Sequence, residues 1–271
     1  MRKIEMTEQL WTRLLAMRGS GSSASAYDDS DACLSLYGPI ASASRGFVLA
    51  QVGQSLDGRV ATPAGDARDI SGPEGIGHLH RCRALVEAVM VGVGTVQCDD
   101  PQLSVRAVKG PNPVRVIVDC RAELTGEERL FHDGGAPVIV FQSVDAPLRQ
   151  YDADIIRLPT GDNGLEPQAM LDALSARGLS RILVEGGART IARFIEADLV
   201  DRLHVSIAPL IIGSGPMGIS LAPITALNEA HRPVADVFSL GSDVLFDCHL
   251  RAGSARVEAR HGEKVRMADP A

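Results

Sequence analysis

The stretch Ala88 to Arg106, AVMVGVGTVQCDDPQLSVR, constrains the fold of this chain more than any other. It opens on Val89, Met90, Val91 and Val93, an apolar run with no alternating polar side. A strand of that kind needs cover on both faces, which points to a parallel sheet layered by helices. Gly92 and Gly94 bracket the strand end, where a missing side chain lets a ligand approach the backbone. Thr95 follows with a hydroxyl at the start of a turn or short helix, and Asp99 and Asp100 come next, pinned by Pro101. This order places polar groups at the carboxyl end of a buried strand, the edge at which open α/β sheets bind ligands.

A second unit repeats the pattern. In ILVEGGARTIARF, Ile182 to Phe194, a strand ends on Glu185 and a helix begins after Gly186 and Gly187. Free backbone N–H groups at such a helix start can accept a phosphate or pyrophosphate. An ordinary tight turn reads the same way locally, but two glycine turns at neighbouring strand ends can hold the two halves of a dinucleotide. GSGPMG, Gly213 to Gly218, also satisfies the G-x-G-x-x-G spacing. Pro216 removes a donor there and no clean amphipathic helix follows, so a Rossmann site is not expected at that point. The pair His261 and Glu263 mimics the H-x-E of zinc deaminases without the P-C-x-x-C that should follow, and reads as chance.

The chain has five cysteines, without C-x-x-C pairs, which indicates neither a zinc site nor a disulfide framework and fits a reducing cytoplasm. A net charge of −7 without a Lys/Arg block argues against nucleic-acid binding. The segment MRKIEMTEQLW lacks a signal-peptide core, and no apolar run reaches the ~20 residues of a membrane span. Thr7 to Met17 reads as a short amphipathic helix capped by Thr7, with Trp11 as a core or subunit-interface anchor. Gly19 to Ser44, rich in Ser, Ala, Gly and Asp, reads as an extended arm. The expected division is a helix and arm over 1–45, one α/β domain over 46–252 and a polar tail over 253–271.

Within the domain, strands are expected at Phe47–Val52, Val114–Asp119, Pro137–Gln142 and Asp154–Pro159, and helices at His78–Leu85 and Glu166–Arg177. A long polar loop follows Phe47–Val52, VDRLHVSIAPLIIG reads as one long strand, and VFSL with DVLFDCHL as a closing antiparallel pair. Arg83 closes the helix before the buried strand and Arg106 follows the acid pair, so folding the segment back can bring two guanidinium forks to one phosphate. A solvated basic face is the bland alternative.

Taken in order, QSLDGRVAT, ISGPEG with HLHRCRA, VGVGTVQCDDPQLSVR, VRVIVD, LVEGGARTIARF and DRLHVSIAPLIIGSG resemble the reductase domain of riboflavin biosynthesis, over roughly Phe47 to Leu250. That family is similar in fold to dihydrofolate reductase. The resemblance implies a mixed, mainly parallel sheet flanked by helices, a homodimer, and NADPH-dependent reduction of the ribosyl group of 5-amino-6-(5-phosphoribosylamino)uracil to ribityl. It assigns the cofactor to Gly53, Thr95, Asp99 and the turn Gly186, Gly187, Ala188, Arg189 and Thr190, and Arg121, beside a departure from the family pattern at Cys120, is expected to meet the 2′-phosphate. It assigns the substrate to Arg83, Leu103, Arg106 and Glu185. Asp99 is the expected proton source and Glu185 the group orienting the pyrimidine. Asp69 stands where relatives often carry an aromatic residue, and Cys120 where a Ser is common. The deaminase domain of the bifunctional relatives is not expected within residues 1–45. A dihydropterin or dihydrofolate reductase, and a nucleotide-binding module without catalysis, are the alternatives.

Overall fold

The computed structural model describes residues 1–18, 31–44 and 46–251, so the His261 and Glu263 pair and the tail from 252 onward lie outside the described residues. A ten-stranded sheet runs through the molecule. Its elements in chain order are β1 (Arg2–Lys3), α1 (Glu8–Met17), α2 (Ala32–Ser42), β2 (Phe47–Ser55), α3 (Pro73–Leu85), β3 (Ala88–Gly92), α4 (Val93–Asp99), β4 (Val114–Val118), β5 (Val138–Ser143), β6 (Asp154–Leu158), the two-stranded flap β7 (Thr160–Gly161) and β8 (Gly164–Leu165), α5 (Pro167–Ser175), β9 (Arg181–Glu185), α6 (Ala188–Glu196), β10 (Arg202–Ala208), β11 (Val234–Leu240) and β12 (Asp243–His249).

The strand order is β1-β11-β12-β10-β2-β9-β3-β4-β5-β6, and every pair is parallel except the two that β12 makes with β11 and β10. This is the mixed, mainly parallel sheet expected from the sequence. Successive residues of β2 go to opposite faces: Leu49 joins a core under α1, α2 and α3, while Val48, Ala50 and Val52 join a core under α5 and α6. The apolar runs are therefore covered on both sides, as a parallel sheet demands.

Two expectations need correction. The stretch read as an extended arm contains α2, capped by Asp31, whose carboxylate accepts from the amides of Cys33 and Leu34. Leu34, Leu36, Tyr37 and Ile40 are buried in the same core as β3, so residues 31–44 belong to the domain rather than standing apart from it. Trp11 takes the first of the two places expected for it, the core of its own chain, with its indole donating to the Lys109 carbonyl at 2.7 Å. Finally, the long strand ends at Ala208: Pro209 has no amide to donate to a ladder, and Leu210 and Ile211 turn outward.

Candidate active site

The carboxyl ends of β2, β9, β3 and β4 lie side by side, and the turns that leave them wall one cleft of about 1680 Å³. A single small ligand needs roughly 300–1,000 Å³, so this cleft has room for two molecules. Gly53, Thr95, Asp99, Leu103, Arg121, Arg83, Glu185 and the whole Gly186–Thr190 turn line it; Arg106 does not.

The glycine turns are where the sequence reading is most closely met in space. Gly186 and Gly187 take φ values of 55° and 71°, the left-handed region that side chains avoid. A β-carbon on Gly187 would stand 3.3 Å from the Thr95 hydroxyl and 3.4 Å from that of Thr190, and one on Gly92 would stand 2.7 Å from the Thr190 hydroxyl. The starts of α4 and α6 are thus pressed together over the strand ends. Bare backbone there leaves the first-turn amides of α6, Ala188 and Arg189, without intrahelical acceptors, and such amides cradle phosphate. Arg121 stands on the rim with its side chain 84% exposed, 3.9 Å from the Glu123 carboxylate. Asp119 shapes its turn by accepting from the amides of Glu123 and Leu124. Arg189 also opens to the cleft. These features fit a dinucleotide carrying negative charge at both turns.

On the other wall, Glu185 ends β9 and is almost wholly buried. Arg83, reaching from α3, donates Nε to Glu185 Oε1 and Nη2 to Oε2, both at 2.6 Å, and Nη1 to the Ser104 carbonyl at 3.0 Å. Burial pulls the Arg83 pKa down, but the carboxylate more than offsets this and leaves it above the ordinary arginine value. The Arg83 fork, expected at a substrate phosphate, here holds Glu185 while the residue still lines the cleft. Arg106 donates its backbone amide to His80 Nδ1 at 3.1 Å, and its side chain stands outside the cleft lining. Burial and the neighbouring guanidiniums of Arg83 and Arg129 lower its pKa. The two arginines approach each other as expected, yet only one is available to an anion.

Asp99 closes α4 with its side chain open to the cleft, and partial desolvation by the cleft walls raises its carboxyl above the usual range. Leu103 is buried beside it at φ 53°, a strained conformation for leucine. Asp69, at φ 56°, and Cys120 both face the cleft, so the two departures from the family pattern fall on its wall.

Sequence spacing alone missed the pair that holds the loop following β10. Asp57 accepts from the amides of Ile212 (3.1 Å) and Gly213 (2.7 Å), and Arg59 Nε donates to the Gly213 carbonyl at 2.9 Å. Gly215 packs so tightly that a β-carbon would sit 2.1 Å from the Ala61 carbonyl. The G-x-G-x-x-G run thus serves close backbone packing, and no helix follows it, as its proline suggests. The only cue was the SLDGR string itself.

A mainly parallel sheet with paired glycine turns, a buried carboxylate and an open aspartate around a cleft with room for two ligands defines the α/β class of protein to which the chain belongs. Residues 46–246 match the RibD C-terminal domain model, and the chain belongs to that family, the reductase domain of riboflavin biosynthesis. It is 34% identical over 178 residues to the 2,5-diamino-6-ribosylamino-4(3H)-pyrimidinone 5′-phosphate reductase of Methanothermobacter thermautotrophicus, covering 62% of this chain and 80% of that one. Among solved structures it is similar to the diaminohydroxyphosphoribosylaminopyrimidine deaminase/5-amino-6-(5-phosphoribosylamino)uracil reductase of Thermotoga maritima, with 28% identity and a TM-score of 0.66 over 79% of this chain. The match spans 59% of the Thermotoga chain. The Saccharomyces cerevisiae riboflavin biosynthesis reductase Rib7 shares the fold, at 23% identity and a TM-score of 0.65.

Proposed function

We propose that this chain uses NADPH to reduce the ribosyl group of 5-amino-6-(5-phosphoribosylamino)uracil to ribityl, as a cytoplasmic homodimer. The observation that carries the reading is the convergence of the Gly186–Thr190 cradle, Thr95 and Gly53 with Asp99 and the clamped Glu185 in one cleft. The Gly186–Thr190 cradle would hold a nicotinamide dinucleotide, whose chemistry would be hydride transfer to the ribosyl carbon. The chain's own residues do the rest. Asp99 delivers a proton to the nitrogen that becomes the ribitylamine, and Glu185, fixed by Arg83, accepts from the pyrimidine N–H groups with its remaining lone pairs. Arg121 favours a 2′-phosphate, and Arg106, whose guanidinium is not held by Glu185 as that of Arg83 is, takes the substrate phosphate. Leu210, Ile211, Met217, Ile224, Leu227 and Val234 form an exposed apolar segment over 210–234 that a second copy would cover. Among the described residues no helix is long and apolar enough to cross a membrane.

A second reading concerns the base. The archaeal relative is named for the undeaminated 2,5-diamino pyrimidinone, and both bases present N–H groups to a carboxylate. The deciding experiment follows NADPH oxidation with each of the two phosphoribosylamino pyrimidines and with dihydrofolate. The expected result is turnover of the uracil at a kcat/KM above that of the diamino compound, and none of dihydrofolate. Preference for the diamino compound replaces the first reading by the second, and NADPH binding without oxidation of any substrate overturns both.

A further inference from the structure

Behind the cleft, on the other side of α3 from Arg83, three potential ligand side chains meet in the core. His78 and Cys82 are one helical turn apart on α3, the i, i+4 spacing that lets a helix present two ligands to one ion, and His204 comes from β10. All three are fully buried. His78 Nε2 lies 3.2 Å from His204 Nδ1, and Cys82 Sγ lies 3.6 Å from His78 Nε2 and 3.9 Å from His204 Nδ1. With metal bonds of about 2.0–2.1 Å to nitrogen and about 2.3 Å to sulfur, the edges of a tetrahedral zinc site are about 3.3–3.4 Å for N to N and about 3.5–3.6 Å for N to S. The three edges, 3.2, 3.6 and 3.9 Å, lie within about 0.3 Å of those values.

The outer nitrogens are also arranged as a metal site needs them. His78 Nδ1 is 2.9 Å from the Tyr37 hydroxyl, and His204 Nε2 faces Asp247 Oδ1 at 3.3 Å. Each ring can therefore carry its proton on the outside and turn a lone pair inward, with a hydroxyl oxygen and a carboxylate as the acceptors behind. His204 Nε2 and Asp247 Oδ1 are buried and, among the described residues, lack a well-aligned hydrogen bond, so drawing the ring inward by coordination is compatible with their present spacing. Asp247, which also accepts from Arg202, supplies negative charge next to the site.

We infer that His78, Cys82 and His204 form a three-ligand site for a borderline-soft divalent cation, zinc(II) being the ion whose tetrahedral edges the three distances approach. Binding ionises the Cys82 thiol, with the proton released to solvent as the chain folds, and ties α3 to β10. The site lies one residue from Arg83, so it braces the helix that clamps Glu185. It is independent of the reductase reading, because none of its ligands lines the cleft.

The test uses the full chain, refolded from denaturant with zinc or cobalt(II) present and then exchanged into chelator-containing buffer. Elemental analysis is expected to find about one zinc per chain, and the cobalt form to show thiolate-to-metal charge-transfer absorption with intense tetrahedral visible bands. Cys82→Ser should abolish the charge-transfer band, Cys248→Ser should keep it, and Tyr37→Phe should weaken affinity about 10- to 100-fold by removing the acceptor behind His78. Fewer than about 0.1 equivalents of zinc, a cobalt form without the charge-transfer band, or a band that survives Cys82→Ser overturns the inference and leaves a proton-sharing chain from Tyr37 to Asp247. Should Cys82→Ser fail to fold, metal content and cobalt spectrum of the unaltered chain decide alone.

Discussion

Replacing Arg83 by Met isolates the energetics of the clamp on Glu185. Met keeps most of the buried volume but removes two charge-assisted hydrogen bonds of 2.6 Å and the contact to the Ser104 carbonyl. What remains is a carboxylate 8% exposed in its side chain with no hydrogen-bonded counter-charge, the more distant Arg106 being the cation left near it. Removing one partner of a buried ion pair costs about 3–5 kcal/mol, mostly as the penalty on the charge left behind. For a domain of this size that should lower Tm by very roughly 6–20 °C. Because the penalty belongs to a charge, adding Glu185→Gln should recover a large part of it. Thermal and urea unfolding of the wild type, Arg83→Met and the double variant at neutral pH would measure these effects. A loss below about 1 kcal/mol, or one unchanged by Glu185→Gln, would show that the clamp is not an isolated buried pair and refute the reasoning.

Arg106→Ala should lower kcat/KM for a phosphorylated substrate about ten- to a hundredfold, the value of one charge-assisted hydrogen bond, and leave the dephosphorylated substrate unaffected; equal losses on both would remove the phosphate role. The Asp99 carboxyl titrates above the usual value, so its acid form persists to higher pH than in an ordinary aspartate and kcat should fall as pH rises through that window. Asp99→Asn should erase that limb and slow turnover about 10²- to 10⁴-fold, whereas full turnover across neutral pH would dismiss Asp99 as the proton source. Asp57 is held down to about 2 by the Ser55 hydroxyl and the amides of Ile212 and Gly213, so its contribution is complete above the ordinary 3.8 and is lost as pH falls towards 2. Asp57→Asn at neutral pH should therefore raise KM and expose 209–218 to limited proteolysis, and the wild type should show that sensitivity only below about pH 4. Equal cleavage of both proteins at neutral pH would disconnect the tether from the loop.

What could be read from the sequence was what is local. The β3–α4 and β9–α6 units announce themselves because apolar runs, paired glycines and a helical stripe sit within a dozen or so residues of one another. The α2 helix was hidden because its Ser, Gly and Pro39 argue against a helix interior, and its stability comes from burying Leu36, Tyr37 and Ile40 against α1 and α3. The site was legible as a set of residues but not as a set of partnerships. Nothing in HLHRCRA says that Arg83 meets a carboxylate 102 positions away, or that His78 and Cys82 face a histidine further still. Spacing reports neighbours along a chain, while charge pairing is settled by topology.

The place of β2 in the sheet governs how the chain must assemble. Its hydrogen-bonding neighbours are β9 and β10, and its first residues are pinned by Asp201 across 153 positions. During synthesis the middle strand of the molecule emerges early with two apolar faces and waits for partners made much later. Closing such distant pairs sets a slow folding step, and a half-finished chain exposes two bare edges ready to join another copy. Substitutions that delay β9 or β10, even conservative ones, should thus cut soluble yield well before they change the stability of molecules that have already closed.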